Sequence, residues 1–139
     1  MNINYIAVLA AAVVSMGVGF LWYSPTLFGK AWMKLMGYTQ EDLAKAKKEM
    51  GKLYALSFVA TLVMAYVLTH VMILSKNFYG YSPVTTGLTT AFWSWLGFVA
   101  PVQLADELFG GKRWKLFCLN TGYQLASLLA MGVVIGMIG

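Results

Sequence analysis

The sequence predicts an all-α integral membrane protein: a four-transmembrane-helix bundle with a short amphipathic interfacial helix between spans 1 and 2. Of the 139 residues, 60% are hydrophobic and 11% are charged, whereas soluble domains carry about 25% charged residues. Four stretches are long and apolar enough to cross about 30 Å of hydrocarbon. Because lipid offers backbone polar groups no partner, such stretches form helices. The composition excludes a soluble enzyme and a disordered chain, so residues 1–139 read as a single transmembrane domain.

The first span and the interfacial helix cover about residues 4–22 and about residues 25–36. Between them, Ser24-Pro25 predicts a helix N-cap followed by proline at the first helical position. Apolar side chains then recur on one helical face, opposite Lys30 and Lys34. Such a helix lies in the headgroup layer of a membrane, with its apolar face toward the hydrocarbon.

The second span covers about residues 53–74. Upstream of it, Thr39–Asp42 resembles a capping box with aspartate in the place of the usual glutamate. We therefore expect one continuous helix from about Gln40 through the second span, with its first turns outside the hydrocarbon.

The third and fourth spans cover about residues 84–108 and about residues 116–138. Ser82-Pro83 repeats the pattern of a cap followed by proline before the third span. Inside that span, Pro101 has no N–H and frees one backbone carbonyl. That carbonyl lies close to the polar residue Gln103.

The basic residues predict the orientation. The loop before the second span and the loop before the fourth together hold nine of the ten Lys and Arg residues, and the loop between the second and third spans holds Lys76. By the positive-inside rule, loops 1 and 3 face the cytoplasm and both termini lie outside a cell (inner) membrane. The same residues predict anionic lipids of the cytoplasmic leaflet as partners. We expect no nucleic-acid partner, since the net charge of +5 is first a topology signal.

Polar residues within or beside the spans are the candidates for a ligand-binding site or polar cluster. With the orientation above, they lie toward the cytoplasmic end: Tyr23, Ser24, Ser57, Thr61, Gln103, Asp106, Asn120 and Gln124. In one interpretation they form a vestibule with Asp106 or Glu107 as a proton or cation site. In the other they make interhelical hydrogen bonds that fix the packing. The two carboxylates would then pair with Lys112, Arg113 or Lys115.

Small residues mark the helix-packing positions. Gly19 ends a four-residue stripe of small side chains along the first span, and Gly132 and Gly136 form a GxxxG pair in the fourth. These stripes suit packing within one bundle or between subunits. Because a four-span chain encloses little volume, we expect a homo-oligomer.

The cysteine and histidine counts exclude several chemistries. Cys118 is the only cysteine and His70 the only histidine, which excludes an intrachain disulfide, a thiolate metal cluster and a bis-histidine haem within one chain. We expect no metal site, no cofactor and no catalytic residue, and the protein is not predicted to be an enzyme.

The stretch Gly19–Met33 resembles the signature of a membrane-protein family, domain of unknown function 1761. The run Trp93–Phe98, with Phe109, Trp114 and Asn120–Tyr123, is similar to that family's second half. The resemblance covers nearly the whole chain and implies a small four-span membrane protein without an assigned reaction. It marks the family motif as Trp22, Tyr23, Ser24, Pro25, Phe28, Gly29 and Trp32.

Two functions remain open from the sequence. The first is a structural, accessory or lipid-binding bundle that forms a homo-oligomer. The second is a small oligomeric transporter or channel with a cytoplasm-facing polar vestibule. An intramembrane enzyme ranks below both, because no nucleophile–base pair can be built around His70.

Overall fold

The computed structural model describes residues 3–111 and 113–139, so the candidate ion-pair partner Lys112 lies outside the described residues. The helices are α1 (Tyr5–Trp22), α2 (Gly29–Met36), α3 (Gln40–Lys47), α4 (Met50–Tyr79), α5 (Pro83–Ser94), α6 (Ala100–Phe109) and α7 (Trp114–Ile138). A π-helical segment, Trp95–Val99, joins α5 to α6. The described part of the chain contains no strand, and the prediction of an all-α fold is confirmed.

Three of these helices, α1, α4 and α7, are long and apolar enough to cross a membrane, consistent with a multi-pass membrane protein. The predicted third span is not one such helix. Its residues form α5, the π-helical segment and α6, which are twelve, five and ten residues long.

Pro101 explains why the third predicted span is interrupted. A proline ring collides with the carbonyl group four residues earlier, here that of Gly97, and supplies no N–H. The helix widens just before the proline, and the N–H of Ala100 reaches back five residues to the carbonyl of Trp95. The carbonyl freed by Pro101 thus lies within a π-helical segment, which the sequence did not predict.

The capping box before the second predicted span is confirmed. Thr39 Oγ1 accepts from the N–H of Asp42 at 3.2 Å, and Asp42 Oδ2 accepts from the N–H of Thr39 at 3.0 Å. The prediction of one continuous helix from Gln40 is wrong, because α3 ends at Lys47 and α4 begins at Met50. The N–H of Glu49 bonds only three residues back, to Ala46 at 3.0 Å, and this tighter turn separates the two helices.

Helix α7 lies at the centre of the packing. It runs along both α5 and α1 and also contacts α4, α6 and α2. A buried apolar core lies between α7, α1, α4 and α5: Val8, Ala11, Ala65, Leu68, Met72, Ala91, Leu128, Met131 and Ile135.

The backbones of α5 and α7 touch at two glycines. A Cβ placed on Gly87 would collide with the carbonyl oxygen of Gly132, and a Cβ on Gly132 with that of Gly87. One helical turn further, a Cβ on Gly136 would lie 2.5 Å from the carbonyl oxygen of Pro83. Ordinary side chains at these positions would force the helices apart.

Helices α1 and α7 are also held by small residues. The hydroxyl groups of Ser15 and Ser127 are hydrogen-bonded in the buried interface. One turn along, a Cβ on Gly19 would lie 3.1 Å from the hydroxyl oxygen of Tyr123. The structure thus uses Gly19, Gly132 and Gly136 for contacts within one chain.

Gly87→Ala is expected to destabilise the bundle by about 1–3 kcal/mol, because the new Cβ meets backbone rather than a movable side chain. Thermal unfolding in detergent, followed by circular dichroism, measures the change. Gly51→Ala is the matched control, since Gly51 is exposed on α4 and an added Cβ there meets no described atom within 4 Å. Equal melting temperatures for the Gly87 variant and the wild type would contradict the close contact.

Candidate functional site

The candidate site lies at one end of the bundle, where α1 and α6 finish and α7 begins. We call this the lysine-rich end, because it is next to most of the basic residues: Lys30, Lys34, Lys45, Lys47, Lys48, Lys52, Arg113 and Lys115. The opposite, terminal end contains Asn4, Pro83 and Gly139, which line one groove together with Lys76.

The chain reverses direction after α1 through a hydrogen-bonded turn at the family-motif residues. The Ser24 hydroxyl donates to the carbonyl of Leu21 at 2.7 Å. The Ser24 carbonyl accepts from the N–H groups of Leu27 and Gly29, at 3.1 and 2.9 Å, and that of Trp22 accepts from Phe28 at 3.0 Å. The prediction of a helix N-cap at Ser24 is therefore wrong: its hydroxyl bonds back to α1, and α2 begins only at Gly29.

Gly29 has a steric reason to be glycine. A Cβ at this position would collide with the carbonyl oxygen of Tyr23 and lie 2.8 Å from that of Ser24. The rings of Trp22 and Phe28 pack on each other across the same turn, with centroids 4.7 Å apart. The turn therefore depends on a glycine at position 29 and on the packing of the Trp22 and Phe28 rings.

The turn is tied to α7 by two adjacent hydrogen bonds, which we call the α7 clamp. The indole N–H of Trp22 donates to the carbonyl of Leu119 at 3.1 Å. The Tyr23 hydroxyl donates to Oδ1 of Asn120 at 2.7 Å. Burial, with a contribution from Tyr123, raises the pKa of Tyr23 to about 12. The phenol therefore stays protonated and able to donate.

Helix α2 contacts the bundle through its aromatic face. The Trp32 ring packs edge-on against Tyr23, with centroids 5.7 Å apart, and against Tyr38 at 5.3 Å. Lys30 and Lys34 are exposed. The helix therefore presents two cations outward while its aromatic side is held against the α7 clamp.

Charged and polar groups meet between α6 and the start of α7. Arg113 Nε and Glu107 Oε2 lie 3.4 Å apart and form an ion pair, and Arg113 Nη1 lies 3.9 Å from the sulfur of Met36. Among the described residues, three side-chain atoms here are buried without a hydrogen-bond partner: Gln103 Oε1, Glu107 Oε2 and Arg113 Nε. Gln103 and Glu107 are four residues apart and share one face of α6.

The structure brings only some of the predicted cluster together. Tyr23 and Asn120 are in direct contact, and Gln103 and Gln124 are partly buried on α6 and α7. Ser57 and Asp106 are exposed on α4 and α6, so they do not enclose a pocket with the others. The hydroxyl of Thr61 donates to the carbonyl of Ser57 within α4 at 2.8 Å.

The ion pair of Glu107 with Arg113 is one of the pairings expected from the sequence. Sequence reasoning missed the contact of Arg113 with Met36 and the bond from Trp95. The indole N–H of Trp95 donates to the carbonyl of Thr121 at 2.8 Å. The four-residue spacing of Gln103 and Glu107 was a usable signal for a polar face on α6. Nothing in the sequence indicated that Met36 would lie beside Arg113.

These features define the class of protein. It is an all-helical chain with several helices able to span a membrane. One end of it is basic and is held together by the α7 clamp. The family model described as "Protein of unknown function (DUF1761)" matches residues 6–136, and the chain belongs to that family. The resemblance seen in the sequence is thereby confirmed. No curated protein and no solved structure matches the chain.

Tyr23→Phe is expected to lower the free energy of unfolding by about 0.5–1.5 kcal/mol, because Asn120 loses its donor while the ring contacts remain. Chemical or thermal unfolding in detergent measures this. Tyr54→Phe is the matched control, since the ring of Tyr54 packs on Phe20 and is exposed on α4. An unchanged stability of Tyr23→Phe would contradict the clamp.

The difference in stability between the wild type and Tyr23→Phe is expected to depend on pH. In the unfolded chain Tyr23 ionises near its ordinary pKa of 10.0, but in the folded chain only near 12. Between these values the unfolded state loses a proton that the folded state keeps, so the wild type becomes less stable relative to Tyr23→Phe as the pH rises. A constant difference from pH 9 to 12 would contradict the burial of this hydroxyl.

Proposed function

We propose that this protein is a small multi-pass membrane bundle that binds anionic lipid headgroups at its lysine-rich end and acts as a structural or accessory protein there. The observation that carries the proposal is the way in which α2 packs against the rest of the chain. Its aromatic face is held by Tyr23 and Tyr38, and Lys30 and Lys34 are exposed. An amphipathic helix with this arrangement suits a membrane interface.

The proposal includes a fourth membrane crossing made of α5, the π-helical segment and α6 in series. Together they run from Pro83, at the terminal end beside Gly136, to Phe109, shortly before α7 begins. A π-helical segment keeps backbone groups bonded within the helix, and proline is tolerated in spans where neighbouring helices surround it. An even number of crossings would put both chain ends on one side.

We also propose the orientation in which the lysine-rich end faces the cytoplasm. It is supported by the uneven distribution of Lys and Arg, nine residues against one. The inner leaflet carries the anionic lipids, and each lysine near such a surface contributes about 1 kcal/mol of attraction. Trp22 and Trp32 at this end suit the headgroup level, where indole rings collect.

A homo-oligomer is part of the proposal, and its interface would have to use surfaces other than the glycine contacts. Gly87, Gly132 and Gly136 are already occupied between α5 and α7. Gly17 on α1 is exposed and leaves open space for a neighbouring helix. Native mass spectrometry of the protein released from its own membrane lipids measures the subunit number, and a bare monomer would contradict this part.

The triple variant Lys30→Gln, Lys34→Gln, Lys45→Gln is expected to bind phosphatidylglycerol at least about tenfold more weakly, because three attractions to the phosphate are lost. Native mass spectrometry of the detergent-solubilised protein titrated with phosphatidylglycerol, and separately with phosphatidylcholine, measures this. The wild-type preference for phosphatidylglycerol should also fall with added salt.

Two controls sharpen the lipid experiment. Replacing the same three lysines by arginine keeps the charge and should keep the preference, whereas Lys76→Gln removes one cation at the terminal end and should change little. If the glutamine triple variant keeps the full preference for phosphatidylglycerol, the lipid-binding proposal is wrong.

The alternative function is proton- or cation-linked transport through a vestibule at the lysine-rich end. It is favoured by Gln103 Oε1, which is buried without a hydrogen-bond partner among the described residues and lies one helical turn before Glu107. Glu107 is partly buried in its ion pair with Arg113, whereas Asp106 is exposed, so Glu107 is the candidate ionisable group. In vesicles containing a trapped pH dye, Glu107→Gln would abolish a protein-dependent proton flux and Asp106→Asn would not. A wild type with no flux above protein-free vesicles rejects transport of protons.

A further inference from the structure

Helix α2 differs in charge from the other segments at the lysine-rich end. Lys30 and Lys34 are its only charged residues, and no acidic residue lies between the end of α1 and the start of α3. None of the ion pairs formed by the described residues involves either lysine. Helix α3, by contrast, places Glu41 four residues before Lys45, on one helical face. The two positive charges of α2 are therefore uncompensated within the described part of the chain.

The two lysines of α2 lie on one face, one helical turn apart. Residues at i and i+4 have Cβ atoms about 5–6 Å apart, and each lysine carries its ammonium group on a flexible four-carbon stem. Both ammonium groups can therefore reach a single headgroup. A phosphodiester has one negative charge, so one phosphatidylglycerol molecule neutralises only one of the two cations. A headgroup with two phosphates matches both.

The contacts of α2 fix the direction in which this face points. Trp32, which lies between the two lysines in sequence, packs against Tyr23 and Tyr38. Near the C-terminal end of the helix, the sulfur of Met36 lies 3.9 Å from Nη1 of Arg113. Because these contacts hold the helix from its other side, the two lysines are presented together. Such preorganisation lowers the cost of ordering a site when a ligand binds.

Apolar side chains suited to acyl chains lie directly before the lysines. Leu27 and Phe28 are 49% and 40% exposed. They follow α1, which is long and apolar enough to cross a membrane, so this segment lies where a candidate span ends. Headgroups and the first methylenes of acyl chains meet at that level of a bilayer. The surface therefore suits a membrane lipid better than a soluble anion.

A bridge between two phosphates strengthens binding beyond the sum of the charges. When two separate lipids bind, each one loses its own translational and rotational freedom. When one molecule carries both phosphates, the second contact forms at an effective concentration set by the bridge, and short bridges that span the two sites give a high value. The lysine pair of α2 therefore favours one lipid with two phosphates over two lipids with one phosphate each.

We infer that Lys30 and Lys34 together bind the headgroup of one lipid whose two phosphates are joined through glycerol, the chemistry of cardiolipin. Each ammonium group contacts one phosphate, and acyl chains lie against Leu27 and Phe28. Basic sites on the cytoplasmic side of membrane proteins bind such headgroups. The inference rests on the lipid binding proposed above and goes beyond it, because attraction between a basic end and anionic lipids does not by itself favour linked phosphates.

The test is native mass spectrometry of the full-length protein in detergent, titrated separately with cardiolipin and with phosphatidylglycerol of the same acyl chains. The quantity measured is the dissociation constant for phosphatidylglycerol divided by that for cardiolipin, which we call the cardiolipin preference. The wild type should have a cardiolipin preference of at least about fivefold. A smaller value would overturn the inference, because two phosphates per molecule give about twofold on statistical grounds alone.

Two variants that relocate one charge separate the lysine pair from the overall charge. Lys34→Gln with Ala44→Lys moves one cation from α2 to an exposed position on α3. Its cardiolipin preference should fall to about twofold, while phosphatidylglycerol binds within about twofold of the wild-type affinity. Lys47→Gln with Ala44→Lys is the matched control, because it makes the same addition to α3 and leaves the α2 pair intact. It should keep the wild-type preference.

The outcomes for these variants are read only in folded protein, and all the substituted positions are exposed. Circular dichroism should give both variants the wild-type melting temperature. An undiminished cardiolipin preference in the Lys34 variant, or an equal loss of it in the Lys47 control, would overturn the inference.

Two further comparisons identify what has failed if the result is negative. A wild type that prefers phosphatidylglycerol to phosphatidylcholine but shows no cardiolipin preference contradicts the inference and leaves the proposed lipid binding intact. A wild type that prefers neither anionic lipid to phosphatidylcholine contradicts both. Inorganic pyrophosphate, at an ionic strength matched with sodium sulfate, should not displace cardiolipin, because it has no acyl chains. Displacement by pyrophosphate and not by sulfate would overturn the assignment of a lipid ligand.

Discussion

The contact between the backbones of α5 and α7 is the constraint on which the rest of this structure depends. In a bilayer, lipid tails are as apolar as leucine, so helices associate through close packing and hydrogen bonds rather than through exclusion of water. Gly87 and Gly132 allow the two backbones to touch. This contact sets the position of α7, and α7 is in turn the helix that most of the other elements contact.

The position of α7 determines what the lysine-rich end can do. Ser127 and Tyr123 on α7 hold α1 through Ser15 and Gly19. Leu119 and Asn120 then lie where Trp22 and Tyr23 reach them. Because the α7 clamp holds the turn that leads into α2, the orientation of the exposed lysines follows from helix packing deeper in the bundle. The lipid binding proposed for this end would need no pocket.

Local chemistry explains how much of the fold could be predicted. Two features predicted correctly are the cap at Ser82 and the capping box at Thr39. Both depend on neighbours within a few residues. The carbonyl freed by Pro101 was predictable for the same reason, since a proline acts on the carbonyl four residues before it. The π-helical segment was not predicted, because it depends on how the widened turn packs against the other helices.

The candidate site was harder to predict, because it depends on helix rotation and on contacts distant in sequence. Spacing alone did not show that Asp106 would be exposed while Glu107 turned toward Arg113. The Ser24 hydroxyl could have capped α2 or bonded back to α1, and in the structure it donates to the carbonyl of Leu21 in α1. The Trp22–Phe28 ring contact across the same turn, which joins residues six apart, was not visible in the sequence. Glycine patterns indicated close helix contacts but not the partner, since Gly87 was not part of any stripe.

The most direct test of the α5–α7 contact is a nuclear Overhauser measurement on the native sequence, with selectively labelled glycine, in detergent micelles. A Cβ on Gly87 would lie 3.1 Å from the Cα of Gly132, and a Cβ on Gly132 equally far from the Cα of Gly87. The glycine Hα atoms that occupy those directions should therefore give a strong cross-peak. Absence of this cross-peak, while sequential cross-peaks within both helices are present, would contradict the backbone contact and the arrangement built on it.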